Sequence, residues 1–488
     1  METVSILPLL ATLPSLLVIP VLVSCGENRP NFRETWTFVA GVLTLAIVVS
    51  MVKGVLNGVN YVYTLVALAP GLSIGFKVDG LGMAFALVAS FLWVVTSIYS
   101  IGYMRGLKEH SQTRFFSFFA LAVSSTIGVA FAGNLLTLYL FYEVLSLSTY
   151  PLVVHHQDEA AKISGRKYLT YILTSSIGLV LPAMIICYSV AHSLDFQPGG
   201  ILAHQAASKE LLTVLFFMFL FGFAKAALMP MHSWLPAAMV APTPVSALLH
   251  AVAVVKVGVF SIIRIFTGIY GVDLIKTLHL GTYTGYIAAF TIIVGSLIAM
   301  SQDELKRRLA FSTISQLAYI VLGISLLTPK GMIGGIIHIV MHAFGKITLF
   351  FGAGAIFVST GKKYISEMKG LGKKMPLTFL AFFIGVLSVI GIPPTGGFYS
   401  KWYLALGCID AHNLFLLGVL LLSSFLNAVY FLPIVFNGFF VKNESNEGYS
   451  EASLCCVLPM IVTASVSVLL FFYHDIFYKL IAIGLKLG

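Results

Sequence analysis

Charge is what this chain has least of. Only 10% of its 488 residues are Asp, Glu, Lys or Arg, while 58% are hydrophobic. Soluble domains carry about a quarter charged residues, so a soluble globular protein of this length is excluded. Acidic groups are scarcest, 19 against 29 basic ones. The net charge of +10 could signal nucleic acid. In so apolar a chain it reads instead as the lysines and arginines that flank membrane helices on the cytoplasmic side. Cysteine is sparse too. Cys25, Cys187, Cys408, Cys455 and Cys456 sit mostly in apolar runs, without zinc-ligand or redox spacing. Met1 to Val23 lacks the basic start of a cleavable signal and reads as a first spanning helix. There is no low-complexity segment, no flavin, iron–sulfur or nucleotide motif, and no soluble stretch long enough to house a cofactor. No cofactor and no metal are therefore expected in this chain.

What is present is hydrocarbon length. A helix needs about 20 apolar residues to span a bilayer. Runs of that kind predict an all-α polytopic membrane protein with fourteen helices, near 4–24, 35–58, 80–103, 114–132, 134–155, 163–190, 211–230, 242–268, 282–300, 308–326, 331–358, 375–405, 412–438 and 453–474. Residues 61–79 alternate around Pro70-Gly71 and predict a β-hairpin. Residues 191–210 read as a polar outer loop and 440–452 as a mobile inner one. With the N-terminus outside, the inner loops hold 17 lysines and arginines and the outer loops with the C-terminus hold 6. That bias predicts both termini outside the membrane.

Six basic residues remain inside helices. Lys53 and Arg264 lie near helix ends and are expected to snorkel. The others are Lys225, Lys256, Lys346 and Lys401, and Glu143 is the one acid expected at mid-helix. Charges at membrane depth are costly and point to an ion path. Prolines accompany them. Pro230, Pro236, Pro242 and Pro244 fall in the stretch from Ala224 to Gly258, and Pro393 and Pro394 fall among glycines at 391–397. Broken helices are tolerated at membrane depth only inside protein or beside a wet cavity. Two such breaks, one in each half, point to an inverted-repeat transporter.

The charged residues suggest a relay. Glu143, in LYLFYEVLSLSTYPL, is read as the partner of Lys225, although a neutral glutamic acid bonded to Ser146 or Tyr142 is the structural alternative. Separation of such a pair would load and release a proton. His250 titrates near neutrality and suits proton relay, with a satisfied core histidine as the plain reading. Lys256 lies at another depth of the same helix. His338, His342 and Lys346 are spaced by four and share one helix face. Histidines so spaced bind zinc in HExxH helices. Here no glutamate lies between them, no third ligand is near, and Lys346 would repel a cation, so the row reads as a proton wire. Lys306, Arg307 and Arg308 read as anchors at the inner surface, and Ser312, Thr313, Ser315 and Gln316 as residues that could line a water path.

HSWLPAAMVAPTPVSALLHAVAVVKVG, SQDELKRRLAFSTISQ, HIVMHAFGKITLF and GIPPTGGFYSK together resemble the antiporter-like proton-conducting membrane subunits of respiratory complex I, Mrp-type antiporters and membrane-bound hydrogenases. The resemblance implies N-terminal helices 1–3 with the hairpin (1–113), two inverted five-helix repeats (114–270 and 271–438) with helices 7 and 12 broken, and an inner loop with helix 14 (439–488). It gives Glu143 and Lys225 the family's acid–lysine pair and Lys256 the connecting lysine. His338, His342 and Lys346 fall on the central axis, and Lys401 faces the outer exit. Ala237 departs from the family pattern, which often has an acid there. Lysine at 401 and an end just after helix 14 fit the D subunit of an Mrp-type cation/proton antiporter. The alternative is the pumping subunit of a complex I-like oxidoreductase or a hydrogenase. Expected partners are other membrane subunits, the lipid bilayer, and protons with Na+ or K+ as candidate cations. The expected place is the cytoplasmic membrane of a prokaryote.

Overall fold

Uninterrupted apolar length accounts for most of the architecture, and proline accounts for the exceptions. The computed structural model describes residues 1–441 and 448–487, with the side chains of all of these except Leu249 and His250. In chain order, strand β1 (Glu2–Val4) leads to α1 (Leu7–Cys25) and α2 (Pro30–Leu56). Strands β2 (Asn60–Ala69) and β3 (Leu72–Val78) follow. Then come α3 (Gly80–Gly106), α4 (Gln112–Ala130), α5 (Leu135–Val153) and α6 (Glu159–Ala191), the last wound into a π turn at Ser176–Val180. The crossing α7 is composite. It runs as Lys209–Gly222, stops, turns through Ala224–Ala226 and resumes as the short piece Trp234–Ala237. The crossing α8 (243–270) carries π turns at Leu248–Val252 and Ile265–Tyr270.

Then follow α9 (Leu280–Ser301), α10 (Leu305–Ser325) and α11 (Pro329–Thr360). The crossing α12 is in two pieces, Pro376–Ile390 and Gly396–Asp410. It is followed by α13 (Leu414–Phe440), α14 (Leu454–Phe472) and a last short helix, α15 (Asp475–Gly484). Eleven of these helices are each long and apolar enough to cross a membrane. With the three composite ones they make the fourteen crossings that the apolar runs predict. The crossings α4–α8 and α9–α13 are two sets of five. Five is odd, so the second set begins on the opposite face from the first, and the breaks in α7 and α12 both fall at the fourth crossing of their set.

The N-terminal end differs from expectation. Residues 2–4 are a strand rather than the start of a helix, and the predicted hairpin is the larger part of a three-stranded sheet. β1 runs parallel to β2 and β2 antiparallel to β3. The turn at Gly71 has φ +69°, and a Cβ there would lie 2.1 Å from the carbonyl oxygen of His192, so the hairpin tip fits the loop after α6 only as glycine. The sheet lies on the face that carries both described ends of the chain, here the terminal face. The opposite, basic face holds the turns after α3 and α5 and the 302–307 and 360–375 segments. Of the segment 440–452, residues 442–447 lie outside those described. The rest is held: Ser359 Oγ donates to the Ser450 carbonyl at 2.6 Å, and Glu451 accepts from the backbone at the start of α12.

Charge is also distributed differently from the expectation of five buried groups. Arg33 and Glu34 are buried as well, 1% and 5% exposed. Arg105 donates to both carboxylate oxygens of Glu34 at 2.5 and 3.0 Å, while Arg33 reaches Gln112 at 2.7 Å. Arg264 does not snorkel. It is 5% exposed and grips Asp79 at 2.5 and 2.8 Å, joining the end of α8 to the start of α3. Asp79 in turn caps α3 by accepting from the Gly82 N–H at 2.8 Å. Burial works against the charged form of Asp79, but the Arg264 guanidinium beside it and the Gly82 N–H hold its carboxyl below the usual carboxylate range.

Removal of one partner from such a pair leaves the other charge buried alone, at a cost of about 3–5 kcal/mol. Asp79→Asn is therefore expected to lower the thermal-unfolding midpoint of the detergent-solubilised protein well below that of wild type. Because the carboxyl is held low, the stabilisation is present above the ordinary carboxylate range and is lost as pH falls through the lowered pKa. The wild-type midpoint should then fall on acidification more steeply than that of Asp79→Asn.

Candidate functional site

Each break exposes backbone that hydrocarbon cannot solvate, and each is met by a lysine or an indole. In α7 the chain leaves helical geometry at Phe223 and passes Lys225 in a tight turn. Trp234, from the resumed piece, donates its indole N–H to the carbonyl of Ala224 at 3.0 Å. Lys225 is fully buried. Its Nζ donates to the Tyr142 carbonyl at 2.5 Å and to Ser146 Oγ at 2.7 Å, and lies 3.4 Å from the centre of the Tyr142 ring. The turn is pinned from the other side by α8. A Cβ on Gly258 would lie 2.1 Å from the Ala226 nitrogen, so only glycine lets α8 approach this closely.

Glu143 is the next residue of α5. It neighbours Lys225 and Ser176, the latter opening the π turn of α6. No Glu143–Lys225 ion pair within 4.0 Å is formed among the described residues, and Glu143 Oε1 is buried without a hydrogen-bond partner. The expected acid–lysine couple is thus a pair of neighbours without a direct ion pair. α5 supplies both the acid and the neutral oxygens that receive the lysine.

The break in α12 repeats this chemistry. Pro393 and Pro394 follow the end of its first piece, and Gly391 turns with φ +88°. Lys401, from the second piece, donates back to the freed carbonyls of Val389 and Ile390 at 2.8 and 2.9 Å, and to Ser424 Oγ at 3.1 Å. Its ammonium also lies 4.9 Å from the centre of the Tyr319 ring.

The long helix α11 lies between the breaks. Lys256 Nζ and His342 Nδ1 share a hydrogen bond of 2.6 Å. The rings of His342 and His338 are 5.6 Å apart and roughly parallel. His338 is bonded at both nitrogens, to Ser400 Oγ at 2.8 Å and to Gln316 Oε1 at 3.0 Å. Ser400 adjoins Lys401, so a row of polar groups runs from Lys256 to the second break. Lys346, on the same helix, donates to Ser312 Oγ at 2.8 Å. Among the described residues no hydrogen bond joins Lys225 to Lys256; they are coupled by the backbone contact at Gly258. The side chain of His250 lies outside those described.

Lys306 and Arg308 do more than sit at a surface. Lys306 Nζ donates to the Ala241 carbonyl at 2.6 Å, and Arg308 donates to the Gln302 and Tyr430 carbonyls at 2.9 and 2.8 Å. A cavity of about 900 Å³ opens on the basic face beside the first break, lined by His232, Ser233, Pro236, Glu304 and Lys306 among others. Sequence reasoning singled out the charged members of the row but not Ser400, Ser424 or Tyr319. Hydroxyls on apolar helices carry no distinguishing spacing, and only the packing shows which ones face a lysine.

Such a row can hold and pass protons, because nearly every member is both donor and acceptor in one protonation state or another. The fold and this buried polar row define a multi-pass integral membrane protein with an internal line of titratable groups. Residues 132–427 match the family described as NADH:quinone oxidoreductase/Mrp antiporter, TM, and residues 69–116 match the complex I chain 5 N-terminus. The chain belongs to this antiporter-like membrane subunit family.

It is 32% identical over 440 residues to NADH-quinone oxidoreductase subunit N of Desulforudis audaxviator, covering 88% of this chain and 87% of that one. Two further curated relatives are longer, and the chain spans 55% and 62% of their lengths. Its fold is similar to a chain of the Mrp complex from Dietzia sp. DQ12-45-1b, with a TM-score of 0.87, 24% identity, and 99% of this chain and 96% of that chain covered. It is likewise similar to a chain of an archaeal respiratory complex, the membrane-bound sulfane sulfur reductase, with a TM-score of 0.86, 24% identity, and 98% and 96% coverage.

The Gly258 contact yields a direct test. Gly258→Ala should push α8 away from the α7 turn, lowering both the unfolding midpoint and ion transport by the assembled complex. Gly418→Ala, where a Cβ meets nothing within 4 Å, should change neither.

Proposed function

We propose that the chain is the ion-translocating membrane subunit of a multi-subunit Mrp-type monovalent cation/proton antiporter, in the cytoplasmic membrane of a prokaryote with the basic face inside. The observation that carries this reading is the set of titratable groups at the two helix breaks and on the helices between them, with a polar row from Lys256 to the second break. Protons reach the first break through the cavity beside His232 and Lys306. They pass Lys225, then Lys256 with His250 nearby, then His342 and His338, and leave toward the outer side by way of Lys401. Lys346 belongs to the same row by its place one helical turn beyond His342 on α11, and it is held there by Ser312. The distance between Glu143 and Lys225 gates the step: approach favours the charged lysine, and withdrawal lets it release its proton.

Glu143 and Lys401 stand at the two ends of the row, and both are only partly buried. Leu140, Val144 and Leu147, which flank Glu143 on α5, are well exposed. Charged ends of this kind suit neighbouring membrane subunits better than lipid. No cofactor belongs to this chain in the proposed mechanism.

A second reading is favoured by the identity to an NADH-quinone oxidoreductase subunit. In it the same row is the pumping limb of a complex I-like oxidoreductase or hydrogenase whose redox centres lie in other subunits. Identification of the subunits that co-purify with the native complex separates the two. Small membrane partners alone support the antiporter, and iron–sulfur partners the redox pump.

In either setting Glu143→Ala, Lys225→Ala and Lys401→Ala should each reduce proton flux, read as a pH-gradient change in inverted vesicles holding the assembled complex, by at least about tenfold. Unchanged flux in both Glu143→Ala and Lys225→Ala would sink the mechanism.

A further inference from the structure

The turn after α3 and the turn after α5 meet on the basic face and bring Glu109, His110 and His155 together. One ligating atom from each lies within 4.8 Å of the others. Glu109 Oε2 is 3.8 Å from His155 Nε2 and 3.9 Å from His110 Nδ1. The other carboxylate oxygen, Oε1, is bonded to His156 Nε2 at 3.2 Å. His155 is fully buried, yet neither of its ring nitrogens has a hydrogen-bond partner. A buried imidazole without any partner is costly in a folded protein. Here its Nε2 is aimed at a carboxylate too far off to bond and close enough to share a ligand.

We propose that Glu109, His110 and His155 form a binding site for a divalent transition metal ion of the Zn2+ class, with His156 bonded to the carboxylate oxygen that faces away from the ion. Zinc bonds nitrogen and carboxylate oxygen at about 2.0–2.2 Å. Tetrahedral ligands at that radius stand about 3.4 Å apart. The 3.8 and 3.9 Å separations need to close by about 0.5 Å, and a pair at the 4.8 Å limit by about 1.4 Å, which half-exposed His110 can supply by side-chain rotation. Imidazoles select such an ion over magnesium or calcium, which prefer all-oxygen sites.

The donor set agrees: two imidazoles and one carboxylate converge, and a third imidazole orients that carboxylate at 3.2 Å. Opposing charge is present. Arg114 donates to the His155 carbonyl at 2.8 Å, and Lys306 lies near His156. The Glu109 carboxylate is the group that offsets it.

No spacing in the sequence reveals this cluster, because its residues come as two adjacent pairs, Glu109–His110 and His155–His156, on separate turns. Glu109 and His156 also line the cavity beside the first helix break, so a bound ion would stand on its wall.

Titration of the purified intact complex with Zn2+ alone tests the site, followed by Co2+ in its place to read tetrahedral coordination by visible absorption. The wild-type complex should bind one ion per copy of this chain at this site. Glu109→Gln and His110→Ala should each weaken binding at least about tenfold, the lower end of the loss seen even for outer partners of a ligand. His110 is half-exposed, so its variant keeps the fold and the result stays interpretable if a His155 variant does not assemble. Equal stoichiometry and affinity in wild type, His110→Ala and Glu109→Gln, or no Zn2+ binding by wild type, would overturn the proposal. The readout is independent of transport, so its failure is distinct from failure of the proposed relay.

Discussion

Hydrocarbon offers nothing to a bare carbonyl or to an ammonium, and this fold answers each need with the other. Where proline and glycine stop α12, the loose carbonyls of Val389 and Ile390 are taken by Lys401. Where α7 stops, an indole takes the Ala224 carbonyl, and Lys225 in the turn finds oxygens on α5. Unsatisfied polar groups at membrane depth cost several kcal/mol each. A break without its lysine, or a lysine without its acceptors, would therefore not persist. The interruptions and the charges are one device, which is why the chain can afford so few of either.

The same constraint organises the space between the breaks. The histidines of α11 are held by bonds that set their orientation: His338 by Ser400 and Gln316, and His342 by Lys256. The partners come from α8, α10 and the second piece of α12. Residues distant in the chain thus fix one another's geometry, and Lys256, His338 and His342 are each buried. α11 itself is wholly buried along its most apolar stretch, as suits an axis rather than a wall.

Much of this was legible in the residues. Apolar length located the crossings, Pro393-Pro394 and Pro230 located the breaks, and the lysines stood out because a charge in such runs is so rare. What could not be read was pairing. Arg264 looked like a helix-end residue reaching for water, and Asp79 like the last residue of the predicted hairpin; their contact joins positions 185 apart in the chain. Arg33, Glu34 and Arg105 were hidden in the same way, since a charge near a helix end looks alike whether it snorkels or is paired. Residues 2–4 are too few to show strand periodicity, and they are ordered by β2, which lies far along the chain. The hydroxyls around the lysines were invisible for another reason: serine is common in membrane helices and nothing local marks the ones that face inward.

The seating of Gly258 on the α7 turn has a mechanical meaning. Backbone touches backbone there, with no flexible side chain to absorb movement. Lys225 is in the turn, and Lys256 is less than one helical turn from the glycine. The two ammonium groups therefore ride on parts that press directly on each other, like a cam and its follower. A shift of the first break cannot be private to it. It is handed on to the next lysine as displacement, alongside whatever passes between them as charge.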